Sequence, residues 1–371
     1  MRLIVCAGGT GGGVYPALTV LQTLGKKADS VLWVGSQGSM EAALVQRAGI
    51  PFTAIPAAGV HGVGLRAFPG NVVRLVKGTL AARRIIREYR PDVMLFTGGY
   101  VSVPIALAGR KIPRLLFVPD IEPGMALKFL ARFADCITVT SEESCAYFSK
   151  NANVIRTGYP IRPEFKNWDK ANSINKLGLS SNLPVLLVFG GSQGARSINQ
   201  ALFPILAELL NRAQVIHISG PSNWQETEEN LATIPEILKE NYYPYPYLHE
   251  EMGAALAAAD LVISRAGASV LGEFPHFHLP AILVPYPHAW KYQQVNADYL
   301  VQRNAAVVLK DAELKEKLLN RILDLLDAPD KLRTMSEAMS SMAAHTAADD
   351  IANQIQLHAK SYSKIVEGGL A

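Results

Sequence analysis

Pro184-Val185-Leu186-Leu187-Val188-Phe189-Gly190-Gly191-Ser192-Gln193-Gly194-Ala195-Arg196-Ser197 starts as an apolar run of strand length and breaks on a glycine loop. A helical pattern follows, from Ser197 to Leu210. Strand, glycine loop and helix in this order form the opening unit of a doubly wound parallel sheet. Glycines let the backbone approach a ligand, and amides at a helix start favour an anion, so phosphate is the natural guest. A tight turn with no ligand is the plain alternative for one such loop.

The same unit stands at the start of the chain. Leu3 to Ala7 reads as a strand, Gly8-Gly9-Thr10-Gly11-Gly12-Gly13 as the loop, and Pro16 to Leu24 as a helix with Pro16 in its first turn. Further strands are expected at Val31–Val34, Val93–Phe96, Arg114–Phe117 and Ile137–Val139, then at Val215–Ile218, Leu261–Ile263 and Ala281–Val284. Helical patterns separate most of them, so α/β alternation occurs twice. The boundary is expected between Gly158 and Asn167, with domains at 1–162 and 163–339. A helix at about 340–362 is expected to return to the first domain. Neither loop carries the Gly-Lys-Ser/Thr of a Walker motif, and neither matches the dinucleotide fingerprint, which disfavours nicotinamide chemistry.

Two later segments carry more chemistry. Ser264-Arg265-Ala266-Gly267-Ala268-Ser269-Val270-Leu271-Gly272-Glu273 follows a strand and opens a helix. Its small residues let a diphosphate sit at the helix start. Glu273, one turn beyond Ser269, is placed to accept both hydroxyls of a ribose; alone it would read as a favourable first-turn charge. Val284 to Ala297 leaves a strand through a polar, aromatic loop. There Gln293 and Gln294 offer amides suited to sugar hydroxyls, or an ordinary polar helix start.

The bulk composition is compatible with this. The chain has 371 residues, 49% apolar and 18% charged, with a net charge of +4. Two cores are affordable, and a nucleic-acid-directed protein is disfavoured. Cys6, Cys136 and Cys145 form neither a metal spacing nor a disulfide framework. No signal peptide and no membrane-spanning run is evident, so a soluble or surface-attached protein is expected.

Taken together, the ordered motifs resemble the MurG family, bacterial transferases that add N-acetylglucosamine to an undecaprenyl-linked muramyl-pentapeptide. The resemblance runs from Gly8 to about Asn304. It rests on Gly8–Gly13 with Pro16, Thr97–Ser102, Gly158–Arg162, Gly190–Ala195, Ser264–Glu273, and Gln293-Gln294 with Asn296. It implies a GT-B fold, two Rossmann-like domains with an interdomain cleft. The implied donor is UDP-N-acetylglucosamine, with no metal needed for the chemistry. Donor-binding residues implied are Arg162, Ser192, Gln193, Gly194, Arg265, Ala266, Gly267, Ala268, Ser269, Glu273, Gln293 and Gln294. Thr10, Gly11, Gly12, Gly13 and Tyr100 fall on the acceptor side. The implied setting is the cytoplasmic face of the plasma membrane, near other cell-wall synthesis enzymes.

Two departures concern the acceptor side. The family's first glycine loop usually ends in histidine, where this chain has Gly13. The family's His-Glu-Gln-Asn segment is replaced by Phe117-Val118-Pro119-Asp120. Inverting transfer needs a base for the acceptor hydroxyl, and Asp120 and Glu122 are the carboxylate candidates. The competing assignment is a turn cap for Asp120 and a solvated Glu122. His61 is an alternative acceptor-side group, His249 lies near the expected uracil position, and His276 and His278 are expected to pack or face solvent. Leu65–Phe68 and Arg74 to Arg90 mix apolar and basic residues, as an anionic membrane surface or a solvated basic helix would require. Alternatives to the MurG reaction are transfer to a different lipid or polyprenyl-linked acceptor, and a UDP-sugar-binding homologue without catalysis.

Overall fold

A computed structural model describes residues 1–8, 11–36, 41–57, 68–180, 182–287 and 292–368. They form two compact units: Met1–Ile161 with His345–Ala371, and Arg162–Ala344. Arg162 therefore opens the second unit instead of closing the first.

The first unit carries β1 (Arg2–Cys6), β2 (Ser30–Ser36), β3 (Phe52–Ile55), β4 (Val93–Phe96), β5 (Arg114–Val118), β6 (Cys136–Val139) and β7 (Val154–Arg156). They pair in the order β3-β2-β1-β4-β5-β6-β7, all parallel. The second unit carries β8 (Val185–Phe189), β9 (Gln214–Ile218), β10 (Tyr242–Tyr245), β11 (Leu261–Ser264), β12 (Ala281–Leu283) and β13 (Ala306–Val308). Their order, β10-β9-β8-β11-β12-β13, is again all parallel. The central strands are continuous apolar runs because helices cover both faces of such sheets. Ile4, Met94, Phe96 and Leu116 anchor the first core, and Leu186, Val188, Val215 and Ile263 the second.

In each sheet the connections turn outward in opposite directions from the middle pair, β1/β4 or β8/β11. The loops that leave the carboxyl ends of such a pair diverge and open a crevice, which is where open α/β sheets bind ligands.

Several boundaries differ from the sequence expectation. The first helix spans Gly11–Leu24, so Gly11, Gly12 and Gly13 are its opening turn and Pro16 lies inside it. The helix expected at Ser197–Leu210 is broken into Arg196–Leu202, a 3-10 turn Phe203–Ile205 and Leu206–Leu209. Pro204 lacks the amide hydrogen that would continue the ladder. The tail is two helices, Pro329–Ser340 and Ala347–Gly368. Asp349 and Asp350 in the first turn of the latter favour a helix start there. This last helix packs on helix Gly11–Leu24 and on β4 and β5.

Candidate active site

In the second unit Phe189 of β8 pairs with Ser264 of β11, so the Gly190 and Arg265 loops leave the sheet side by side. Gly191 and Gly194 have φ of 91° and 76°, in the left-handed region that favours glycine. The Gly194 amide donates to the Gly191 carbonyl at 2.9 Å and closes the turn. A Cβ on Gly194 would fall 2.0 Å from the Ser219 carbonyl oxygen. The loop thus rests directly on the end of β9. Ser192 and Gln193 project from its exposed tip.

The neighbouring loop places Ala266 and Ala268 in the core and leaves Gly267 half-exposed. Packing does not demand glycine at 267, because a Cβ there would meet no atom within 4 Å. Only something arriving from outside the chain would be obstructed by a side chain there. Gly267→Val should therefore keep the wild-type melting temperature within a few degrees while weakening UDP binding at least tenfold. Thermal denaturation and calorimetric titration with UDP check both halves.

Glu273 sits in helix Val270–His276, its amide donating to the Ser269 carbonyl at 2.8 Å. It is only 8% exposed. Burial pushes its carboxyl above the ordinary range, while Arg162 and the Ser269 hydroxyl pull the other way. Arg162 Nη2 lies 3.7 Å from Glu273 Oε1. The Arg162 guanidinium also stacks over the Phe165 ring, 4.0 Å from its centroid, which fixes its plane. A half-buried cation and a buried carboxylate thus stand beside a helix start.

Arg265 has a more internal role than a ligand-binding assignment implies. Its Nη1 donates to the Val284 carbonyl at 3.1 Å and to Asp311 Oδ1 at 2.5 Å, and its Nη2 to Ser197 Oγ at 2.7 Å. Ser197 Oγ in turn donates to Asp311 Oδ1 at 2.8 Å. The cluster ties the glycine-loop helix to the ends of β11 and β12. Arg265→Ala should destabilise the protein by about 2–3 kcal/mol, the scale of lost hydrogen bonds to a charged group, as read by urea unfolding.

Helix Tyr292–Val301 carries both amide candidates. Gln293 Oε1 accepts from the Tyr286 amide at 2.8 Å, and Gln294 Nε2 donates to Asp298 Oδ1 at 2.7 Å. Gln293 thereby holds the loop that precedes its helix. Asn296, absent from the sequence-derived site set, is fully buried and donates from Nδ2 to the Ala266 carbonyl at 3.1 Å. Its place beside the glutamine pair was the available signal.

In the first unit the glycines gather where β1 and β4 end. Gly99 has φ of 78°, and a Cβ on it would lie 3.1 Å from Gly8 Cα. Thr97 Oγ1 donates to the Gly13 carbonyl at 2.7 Å, and a Cβ on Gly13 would lie 3.1 Å from the Thr97 carbonyl oxygen. Pro16 has no amide hydrogen for the Gly12 carbonyl; the Tyr159 hydroxyl approaches that carbonyl at 3.4 Å. Tyr100 is 48% exposed at the same edge. Buried Glu41, which sequence reasoning passed over, accepts from the Ser36 amide at 3.4 Å. Its Oε1 would lie 3.2 Å from a Cβ on Gly8. No motif marked it.

Phe117 is buried in β5 with its ring edge-on to Tyr159, centroids 6.1 Å apart. Asp120 is half-buried just beyond that strand. Glu122 is not simply solvated, for Lys128 Nζ holds its Oε1 at 2.7 Å. Thr10, His61 and Leu65–Ala67 lie outside the described residues. In the second unit His249 is exposed, its ring 4.6 Å from that of Tyr247, while His276 packs on Phe277 and His278 is exposed.

Among the described residues, no group of three His, Cys, Asp or Glu side chains is placed to hold a metal ion. No helix among them is long and apolar enough to cross a membrane.

The chain is similar to known proteins over both units. Residues 3–139 match the glycosyltransferase family 28 N-terminal domain, and residues 185–355 its C-terminal domain. A Roseiflexus sp. (strain RS-1) protein is 38% identical over 95% of this chain and 94% of its own length. One from Desulfitobacterium hafniense (strain Y51) is 39% identical over 95% and 98%. Both are named UDP-N-acetylglucosamine–N-acetylmuramyl-(pentapeptide) pyrophosphoryl-undecaprenol N-acetylglucosamine transferase. The crystal structure of Acinetobacter baumannii MurG superposes with a TM-score of 0.76 at 26% identity, over 96% of this chain and 99% of that one.

Proposed function

The chain belongs to the MurG family within glycosyltransferase family 28, and on that footing we propose how its residues share one reaction. The enzyme transfers N-acetylglucosamine from UDP-N-acetylglucosamine to the muramyl-pentapeptide carried on undecaprenyl diphosphate. The observation that carries the donor assignment is Glu273, a buried carboxylate beside Arg162 at the carboxyl edge of β8 and β11.

In this reading Glu273 accepts the two ribose hydroxyls. The diphosphate lies over the Ala266–Ser269 helix start, with Ser192, Gln193 and Gly194 at its other side. Gln293 and Gln294 set the acetamido sugar. The acceptor hydroxyl attacks the anomeric carbon as UDP departs, through an oxocarbenium-like transition state. Arg162 and the helix-start amides offset the charge that grows on the diphosphate, and no metal is assigned a part. Asp120 takes the hydroxyl proton. Tyr100 and the Gly11–Gly13 turn line the acceptor side.

Radiolabelled UDP-N-acetylglucosamine incubated with the lipid-linked muramyl acceptor tests the whole reading. Labelled disaccharide product supports it. The buried Phe117 favours a second reading, a related lipid acceptor, because no polar side chain at that position is available to bind it. Label in another polyprenyl-linked sugar, with none in the muramyl acceptor, would select that reading. Donor binding without turnover would mark an inactive homologue.

Approach to the acceptor from the cytoplasmic face of the membrane has a physical basis in helix Phe68–Tyr89. Val73, Val76 and Leu80 are 51%, 55% and 58% exposed. At 3.6 residues per turn they share a face with Lys77, Arg84 and Arg87, all exposed. An apolar stripe with basic flanks suits an anionic bilayer, each cation contributing about 1 kcal/mol near the surface. Exchanging Lys77, Arg84 and Arg87 for Glu should abolish sedimentation with phosphatidylglycerol vesicles while leaving UDP affinity unchanged. Unchanged sedimentation would remove this helix from docking.

A further inference from the structure

A buried polar chain in the second unit runs behind the Gly190–Gly194 loop, and it includes none of the residues assigned above. His217 in β9 has no solvent exposure. Its Nδ1 lies 2.8 Å from the Tyr242 hydroxyl and its Nε2 3.0 Å from Asn199 Oδ1. Asn199 Nδ2 donates to the Ser219 carbonyl at 2.9 Å, and Asn223 Nδ2 donates to the same oxygen at 3.0 Å.

The donor and acceptor roles follow by elimination. The Asn199 amide nitrogen faces a carbonyl, so its oxygen faces His217 and requires a proton on Nε2. Nδ1 is then an acceptor, and the Tyr242 hydroxyl donates to it. Burial pushes the imidazole down to about 3, so this neutral tautomer persists throughout the working pH range.

The chain ends where the donor loop begins. The Ser219 carbonyl is the atom that a Cβ on Gly194 would strike at 2.0 Å. Gly220, with φ of 89°, leaves only 2.5 Å between its own would-be Cβ and the Gln193 carbonyl oxygen. The glycine loop and the Ser219-Gly220 turn are thus pressed together backbone to backbone, and two side-chain amides pin that turn. Few rotamers are left to a side chain buried and bonded at both ends, so its position is transmitted rigidly.

We propose that Tyr242, His217 and Asn199 are positioning residues for the donor diphosphate, acting through the Ser219 carbonyl to hold the Gly190–Gly194 loop in its binding conformation. His217 and Asn199 are fully buried and Tyr242 is 5% exposed, so they act through the loop and not by contact with substrate. The proposal rests on the donor-site reading above, and it separates donor binding from every acceptor parameter.

The test compares His217→Leu, His217→Gln and Tyr242→Phe with the wild-type enzyme. UDP affinity is read by calorimetry, KM for UDP-sugar and for acceptor separately, and amide exchange across residues 190–194 and 219–221 without ligand. His217→Leu should weaken UDP about tenfold and speed loop exchange at least tenfold, with acceptor KM within twofold. His217→Gln, which restores an N–H toward Asn199, should recover most of both losses. Tyr242→Phe should show the same pattern at threefold or so, and it carries the test if His217→Leu does not fold. UDP affinity and loop exchange unchanged in the folded variants would overturn the proposal, as would equal losses in donor and acceptor KM. If the wild-type enzyme bound no UDP, the donor reading would fall, and loop exchange alone would still decide whether the relay holds the loop.

Discussion

Glu273→Gln should lower UDP affinity by about two orders of magnitude without lowering the melting temperature of the unliganded enzyme at neutral pH. Two hydroxyls donating to a charged acceptor are worth roughly 1.5–3 kcal/mol each. An amide retains only part of that. The stability half has the opposite sign. Burial raises the Glu273 carboxyl above its ordinary 4.5 despite Arg162 at 3.7 Å, so the folded form binds a proton more readily than the unfolded form. For that sign, the carboxyl's contribution to stability is greatest on the acid side and declines as pH rises from about 4.5 through the raised value. At neutral pH the free enzyme therefore carries a destabilising charge that glutamine removes. Binding sites commonly hold groups that stability alone would not keep. Thermal denaturation with and without UDP reads both quantities, because ligand stabilisation disappears with affinity. UDP affinity of the wild-type enzyme should also fall as pH drops through the raised value, since only the carboxylate accepts both hydroxyls. The glutamine variant should lose that pH dependence. A variant that melts lower yet binds UDP normally would make Glu273 a structural residue.

Asp120→Asn should reduce turnover by about 10²–10⁴-fold, the usual contribution of a general base, with UDP affinity unchanged. Glu122→Gln should change turnover only a few-fold, because Lys128 already engages the Glu122 carboxylate at 2.7 Å. From sequence alone the two were equal candidates. The structure distinguishes them by the Lys128 ion pair on Glu122 and by the half-buried place of Asp120 just beyond β5. Steady-state rates at saturating donor and acceptor make the comparison. Equal turnover for Asp120→Asn and the wild-type enzyme would return the base to the open list, with Glu41, buried beneath Gly8, as the next group to replace.

The loop and helix after β11 were the more legible part because their pattern is local in sequence. Ser264 to Glu273 runs as one segment from strand end to helix, so spacing alone put Glu273 one turn past Ser269. The internal bonds of Arg265 were not legible, for the converse reason. Its partners Ser197, Val284 and Asp311 are 68, 19 and 46 residues away, and no local pattern records that its guanidinium is already committed. The same holds for His217, which a strand pattern shows only as an interruption. Its partners Asn199 and Tyr242 lie 18 and 25 residues away.

The strands divide in the same way. Every strand read from the sequence sits inside its sheet, and the four that were missed, β3, β7, β10 and β13, are the four sheet edges. A central strand is buried on both faces and must be a continuous apolar run, which composition reveals. An edge strand is half-buried and tolerates polar residues and even Pro244 in β10, so its sequence resembles a loop. The sequence by itself determined the second glycine loop, the sheet centres, and the place of Glu273 one turn past Ser269. Tertiary structure alone decided the edges, the start of the first helix at Gly11, and which polar side chains remain available to a substrate. Those depend on burial and on partners distant along the chain, which neighbouring residues do not encode.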